Sequence, residues 1–179
     1  MRLPDGGGPL VLTLCTGNAA RSVMAGAMLA AAGIRVVTAG THVVEGQPMS
    51  RRTRDALAAV DIRADGHRSH QVTPSDLDRA DLVLAMAAEH VAYVRRRHPG
   101  AAGRTATIRR LVRDLPAGPG GLAERVAGLE LAGVELGEWE DVADPAGGDD
   151  GDYVACATSL VKLTAALVPL LTRGPSSAA

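Results

Sequence analysis

Apolar and polar positions alternate in two rhythms along the chain. Leu10–Leu14 is a short apolar run with a threonine in it, as a buried strand would be. Residues 22–32 carry Ala, Met and Leu at helical spacing and are closed by Gly33. Ile34–Thr38 reads as a second buried strand, followed by the turn Ala39-Gly40-Thr41. Residues 50–60, SRRTRDALAAV, predict a helix with Ser50 as its N-cap. Asp81–Met86 is a third strand, and the helix after it should run to about Arg97 and stop before Pro99. Thr105–Ile108 is a candidate fourth strand, and residues 151–172 form a last helical pattern.

Strands that alternate with helices imply βαβ units and a parallel sheet. Ligands of such sheets bind outside the carboxyl ends of the strands. Residues 1–173 read as one domain, and residues 174–179 as a disordered tail. Residues 116–140 break the rhythm. Their Pro/Gly-rich start followed by a short helical pattern predicts an inserted or elaborated surface segment.

Composition narrows the picture. Of 179 residues 46% are apolar, but only 2% are aromatic and none is Phe, so Ala, Val and Leu must fill the core. A ligand pocket has aromatic walls only if Tyr93, Trp139 or Tyr153 supplies them. The formal net charge of −1 gives no global field for nucleic acid, and Arg95-Arg96-Arg97 reads as a solvated helix end. Two cysteines make no disulfide framework. The start, MRLPDGGGPL, lacks the apolar segment of a signal peptide. The late run LVKLTAALVPLL is too short to span a bilayer. The expectation is a soluble, cytoplasmic protein that uses neither nucleic acid nor membrane.

One of the two cysteines stands at the end of the first strand, in LCTGNAARS. The segment Thr16, Gly17, Asn18, Ala19, Ala20, Arg21 and Ser22 can wrap so that backbone N–H groups converge, and the helix that follows adds its own free N–H groups and positive dipole end. That is an anion site suited to phosphate. Gly17 supplies backbone freedom, and Arg21 a planar fork for two phosphate oxygens. Cys15 at the base of the cradle would be held as a thiolate aimed at phosphorus. Ser22 can donate to that sulfur, and Asn18 can hold the loop through its side chain. Cys-x5-Arg alone is a weak pattern; the strand before it, the Gly-Asn within it and the helix after it make it informative. An acid for the leaving group is offered by Asp144 in DVADPAGG, where Pro145 keeps Asp144 extended. Asp149, Asp150 and Asp152 read as the acidic start of the last helix.

These segments resemble the low-molecular-weight protein tyrosine phosphatase family. VLTLCTGNAARS is similar to its loop C-x-G-N-x-x-R-S, TAGTHVVEGQP to its S-A-G-T turn, and GHRSHQVT to H-x-[SA]-R-Q-[IVL]-T. ADLVLAM matches its third strand, and DVADPAGG with the following Tyr its acid loop. The resemblance implies a three-layer, Rossmann-like α/β fold with a four-stranded parallel sheet flanked by helices. It implies hydrolysis of phosphotyrosine in proteins through a phosphocysteine on Cys15, with Asp144 as acid and then base and Arg21 and the loop amides around the transition state. It implies no metal or organic cofactor, a monomer or weak dimer, and bracing of the loop by Asn18, Thr38 and His67.

The chain also departs from that pattern. Ala20 stands where many members carry a second cysteine, which removes a disulfide within the loop, and Cys156 is expected to be structural. Val23 replaces the usual proline. Val44 and Ala146-Gly147-Gly148 stand where aromatic walls are common, and Ala19 is smaller than the branched residues usual there. Phosphoarginine or a small phosphomonoester is therefore an alternative substrate. The same loop would also serve a single-cysteine arsenate reductase or a non-catalytic phosphate-binding regulatory module.

Overall fold

The computed structural model describes residues 8–172. The tail at 174–179 and most of the chain start considered for a signal peptide lie outside them. Four strands, β1 (Leu10–Cys15), β2 (Arg35–Gly40), β3 (Leu82–Ala85) and β4 (Thr105–Thr107), form one sheet in the order β2-β1-β3-β4. Every pairing is parallel. The helices are α1 (Arg21–Ala31), α2 (Arg51–Ala58), α3 (Pro74–Arg79), α4 (Ala88–Arg97), α5 (Ile108–Asp114), α6 (Leu122–Ala127) and α7 (Asp150–Thr172).

The period-two alternation of the strands divides the core between two faces. Val11, Cys15, Leu82 and Leu84 pack with residues of α1, α2, α5 and α7. Leu12, Leu14 and Val83 point the other way, towards Leu77 of α3 and Val94 of α4. Both faces of the sheet are therefore covered, which is why its strands read as unbroken apolar runs.

Several boundaries move for identifiable reasons. The expected turn at Ala39 and Gly40 is instead the end of β2, because pairing with β1 continues to Cys15 opposite Gly40. Gly33 closes α1 as expected, with φ +84. Ser50 caps α2 by accepting from Thr53 N, a bond worth about 1 kcal/mol. Strand β4 stops at Thr107, whose hydroxyl accepts from Arg110 N and so starts α5 at Ile108. Helix α3 is absent from the predicted elements, although Thr73-Pro74-Ser75-Asp76 carries its signal: a reciprocal Thr73/Asp76 capping box with proline at the first helical position.

Two expectations need correction. Residues 116–140 are not mere surface: Val126 and Leu131 join the core, and Arg125 donates to the carbonyls of Pro116 and Leu170. Glu140 is fully buried, paired through two bonds of 2.6 and 2.9 Å with Arg110. The late apolar run belongs to a helix of 23 residues, α7, long and apolar enough to cross a membrane by length and composition. Here Cys156, Ala157, Leu160, Leu167 and Leu171 bury its inner face in the core.

Candidate active site

The C-terminal ends of β1 and β2 set the site. Cys15 is the last residue of β1 and is 3% exposed. The chain then makes the loop 16–20 before α1 begins at Arg21. Gly40 lets β2 run against this loop. A Cβ there would meet the carbonyl oxygen of Thr16 and come within 2.8 Å of Asn18 N. Thr41 N and His42 N donate to the carbonyls of Cys15 and Thr16, both at 2.9 Å, so the next residues stay bound to the loop.

Among the described residues, the backbone N–H groups of Gly17, Asn18, Ala19 and Ala20 donate to no protein acceptor. Four successive free donors, with Asn18 in the left-handed region at φ +49, form a concave nest for an anion. Helix α1 begins directly behind it and adds its positive end.

Asn18 carries most of the loop's support. Its Nδ2 donates to Ser22 Oγ at 3.0 Å, and its Oδ1 accepts from His70 N at 2.9 Å. Its carbonyl lies 2.9 Å from His67 Nε2 and accepts from Ser69 Oγ at 3.3 Å. Left-handed backbone suits asparagine better than most residues, so conformation and bonding favour the same side chain. Ser22 Oγ lies 2.9 Å from Cys15 Sγ. With Asn18 donating to it, the hydroxyl is free to give its own proton to the sulfur. Thr53 Oγ1 donates to Ala19 O at 2.8 Å and ties α2 to the loop. Ala19 is exposed at the mouth, whereas Ala20 is half-buried.

Arg21 is 4% exposed. Its Nη2 donates to Asp144 Oδ2 at 2.6 Å and its Nη1 to Val142 O at 3.2 Å. Asp144 is exposed, and Pro145 beside it is buried. Ala146 N donates to Asp144 Oδ1 at 3.0 Å and orients the carboxylate. The segment that carries Asp144 is tied to the link between β3 and α4: Val142 N donates to Met86 O, and Asp141 Oδ1 accepts from Ala88 N. Asp149 and Asp152 cap the start of α7 reciprocally, and Asp150 pairs with Arg51 and Arg52.

Thr38 does not brace the loop by a hydrogen bond among the described residues. It pairs with Thr13 in the sheet, and its methyl lies where a Cβ on Gly26 of α1 would fall. Cys156 is 5% exposed, and burial pushes its thiol up to about 11. The supports from Thr53, Ser69, His70 and His90 are not foreseen from the sequence. His90 Nε2 lies 3.0 Å from Thr16 Oγ1.

A low molecular weight phosphotyrosine protein phosphatase family model matches residues 10–118. The chain belongs to that family. It is 36% identical over 95 residues to a probable low molecular weight protein-tyrosine-phosphatase, EpsP, of Ralstonia solanacearum, a match covering 52% of this chain and 66% of that one. The chain thus spans about two thirds of the curated relative's length. It is also similar to the solved structure of the YwlE arginine phosphatase from Geobacillus stearothermophilus, at 31% identity and TM-score 0.71, covering 89% of this chain and 90% of that one. A low molecular weight protein tyrosine phosphatase from T. tengcongensis gives 29% identity and TM-score 0.71, covering 89% and 97%. The family model ends before Asp144, whereas both structural likenesses cover most of the chain.

This family member also differs from the sequence pattern at His70, which stands where H-x-[SA]-R-Q has arginine. The ring bridges Glu45 Oε1 at 3.0 Å and Asp76 Oδ2 at 2.8 Å. Hydrogen bonds to Glu45 and Asp76 raise its pKa above the ordinary 6.5. The bridge therefore contributes fully below the unfolded value and is lost as pH rises through the higher folded value. The side chain is 37% exposed, so the effect is screened and stays under about 1 kcal/mol. Melting temperature should fall slightly as pH is raised above 6.5, and His70→Gln should remove that slope. An unchanged slope in the variant would exclude the bridge as its source.

Proposed function

We propose that the chain is a hydrolase of phosphorylated proteins, of the protein tyrosine phosphatase type, acting through a phosphocysteine. The observation that carries this reading is the nest of four free N–H groups from Gly17 to Ala20, with Cys15 at its base and Arg21 beside it. The nest and the Arg21 fork bind the three equatorial phosphoryl oxygens. The Cys15 thiolate forms the S–P bond as the bond from phosphorus to the leaving atom breaks, and Asp144 gives that atom a proton. Asp144 then takes a proton from water, which attacks phosphorus. The S–P bond breaks, the thiolate returns to the Ser22 hydroxyl, and inorganic phosphate leaves.

In this structure Asp144 rests on Arg21 at 2.6 Å. An incoming phosphate draws the same guanidinium, which releases the carboxylate to face the leaving atom. Two free, buried cysteines suit a reducing, cytoplasmic setting.

Phosphoarginine is the second reading. Ala19 is small and exposed, Val44 is 70% exposed, and Ala146-Gly147-Gly148 places no aromatic ring beside the acid. A planar phenol gains little from such walls, and one structural relative is named an arginine phosphatase.

Turnover of phosphotyrosine and phosphoarginine peptides tests both readings. Wild type should release phosphate, and Cys15→Ser should be slower by at least about 10⁴-fold, because the nucleophile is lost. A wild type as inactive as Cys15→Ser on every phosphomonoester and on phosphoarginine would end the hydrolase reading.

A further inference from the structure

His90 lies on the first turn of α4, and the chemistry above leaves it unused. Its ring is 1% exposed. Nε2 faces two oxygens, Thr16 Oγ1 at 3.0 Å and Glu89 Oε1 at 3.4 Å. Nδ1 is buried with no hydrogen-bond partner among the described residues.

These surroundings decide where the ring's proton sits. A proton on Nε2 is offered to Thr16 Oγ1, with the Glu89 carboxylate near enough to favour it. A proton on Nδ1 would turn the Nε2 lone pair towards a carboxylate and leave a buried N–H with no acceptor, the rarer and costlier kind of orphan. Burial, with the charge of Arg21 adding to it, lowers the pKa to about 3, so the ring is neutral at working pH. The neutral Nε2–H form therefore donates to Thr16 Oγ1. That leaves the threonine hydroxyl its own proton, which no described residue accepts. Thr16 is half-buried and directly follows Cys15.

We propose that the Thr16 hydroxyl is a substrate-contacting donor to a phosphoryl oxygen, and that His90 is the positioning residue that aims it. The assignment rests on the phosphatase reading of the same site. Backbone amides are fixed donors, whereas a hydroxyl rotates. An N–H committed to one lone pair limits that rotation and prepares the donor before substrate arrives. Because the ring is neutral, it does this without adding a positive charge that would compete with Arg21 for the dianion.

Long-range proton–nitrogen spectra of the wild-type protein between pH 5 and 8 read the tautomer directly. Nε2 should be protonated and Nδ1 bare throughout. Thr16→Val should lower kcat/KM by about 10- to 100-fold, the range for a hydrogen bond to a charged group. It should weaken inhibition by inorganic phosphate in step. Thr16→Ser should restore both to within about threefold, since the hydroxyl returns. His90→Gln, whose amide can still donate, should stay close to wild type. His90→Phe should lose about as much as Thr16→Val, and the double variant no more than either alone. Melting curves confirm that each variant is folded.

A proton on Nδ1, unchanged kinetics and phosphate inhibition in folded Thr16→Val, or losses that multiply in the double variant would each overturn the assignment. If wild type hydrolyses nothing, the phosphatase reading fails. The tautomer and direct titration of wild type and Thr16→Val with inorganic phosphate then still decide this proposal.

Discussion

Asp144→Asn will slow hydrolysis of a phosphotyrosine peptide by about 10²–10⁴-fold, the usual contribution of a positioned general acid. An activated aryl phosphate, whose leaving group departs without a proton, should lose less than about tenfold. The difference follows from what the substitution keeps. Asparagine can still accept from Ala146 N, the bond that orients the Asp144 carboxylate at 3.0 Å. It cannot carry the transferable proton, and it gives up the charge that meets Arg21 Nη2 at 2.6 Å. Losing that charge also relieves competition for Arg21, so inorganic phosphate should bind the variant at least as tightly as wild type. Initial rates over a series of leaving groups supply the measurement. Equal losses on poor and activated leaving groups would remove Asp144 as the acid and leave it only an anchor for Arg21.

The second large effect is on stability. Glu140→Ala should destabilise the protein by about 3–5 kcal/mol, because it strands a buried guanidinium. At this chain length that is a loss of roughly 6–20 °C in melting temperature. Glu140 is fully buried and accepts from Arg110 Nε and Nη2, from Thr107 Oγ1 at 2.9 Å and from Gly137 N at 3.0 Å. Burial opposes its charge, but these donors outweigh burial and hold its carboxyl below the usual value. The sign of the pH effect follows. The stabilisation is present above the unfolded carboxyl pKa of about 4.3 and is lost as pH falls through the lower folded value. Acid unfolding of wild type should therefore be steeper than that of Glu140→Ala. Thermal scans from pH 7 to pH 3 compare the two. A variant that melts with wild type at neutral pH would show the pair to be worth nothing.

Much of the fold is legible in the chain because its signals are local. Leu10–Cys15 is buried on both faces and ends at the candidate nucleophile, Gly33 stops a helix at positive φ, and Ser50 caps the next. The core of the site is legible for the same reason: Cys15, Asn18, Arg21 and Ser22 lie within eight residues, and their spacing is set by closing one loop around one anion. Asp144 and His67 are distant in sequence, but each sits in a short pattern that can be recognised. His90 and Thr53 sit in none, and Ser69, though inside the pattern around His67, carries no sign there of its bond to the loop. Their contacts with the loop span 74, 34 and 51 residues and depend on where the sheet places α4, α2 and the segment before α3. Residues 116–140 mislead for a related reason. A Gly/Pro-rich composition reports a flexible local preference and says nothing of Glu140, whose burial depends on Arg110 thirty residues earlier.

The Arg21–Asp144 contact spans 123 residues, the greatest sequence separation in the site. It has a consequence for the order in which competence is acquired. Loop 16–20 is held by Gly40 and by Thr53, His67, Ser69 and His70, all within about fifty residues of it along the chain. Asp144 instead reaches Arg21 from a segment held by Val142 N on Met86 O and followed by α7, which packs on α1. Non-local closures of this kind come late because their entropy must be overcome before the contact rewards it. The carboxylate that meets Arg21 is therefore expected among the last parts of the site to be fixed, after the loop whose supports end at residue 70.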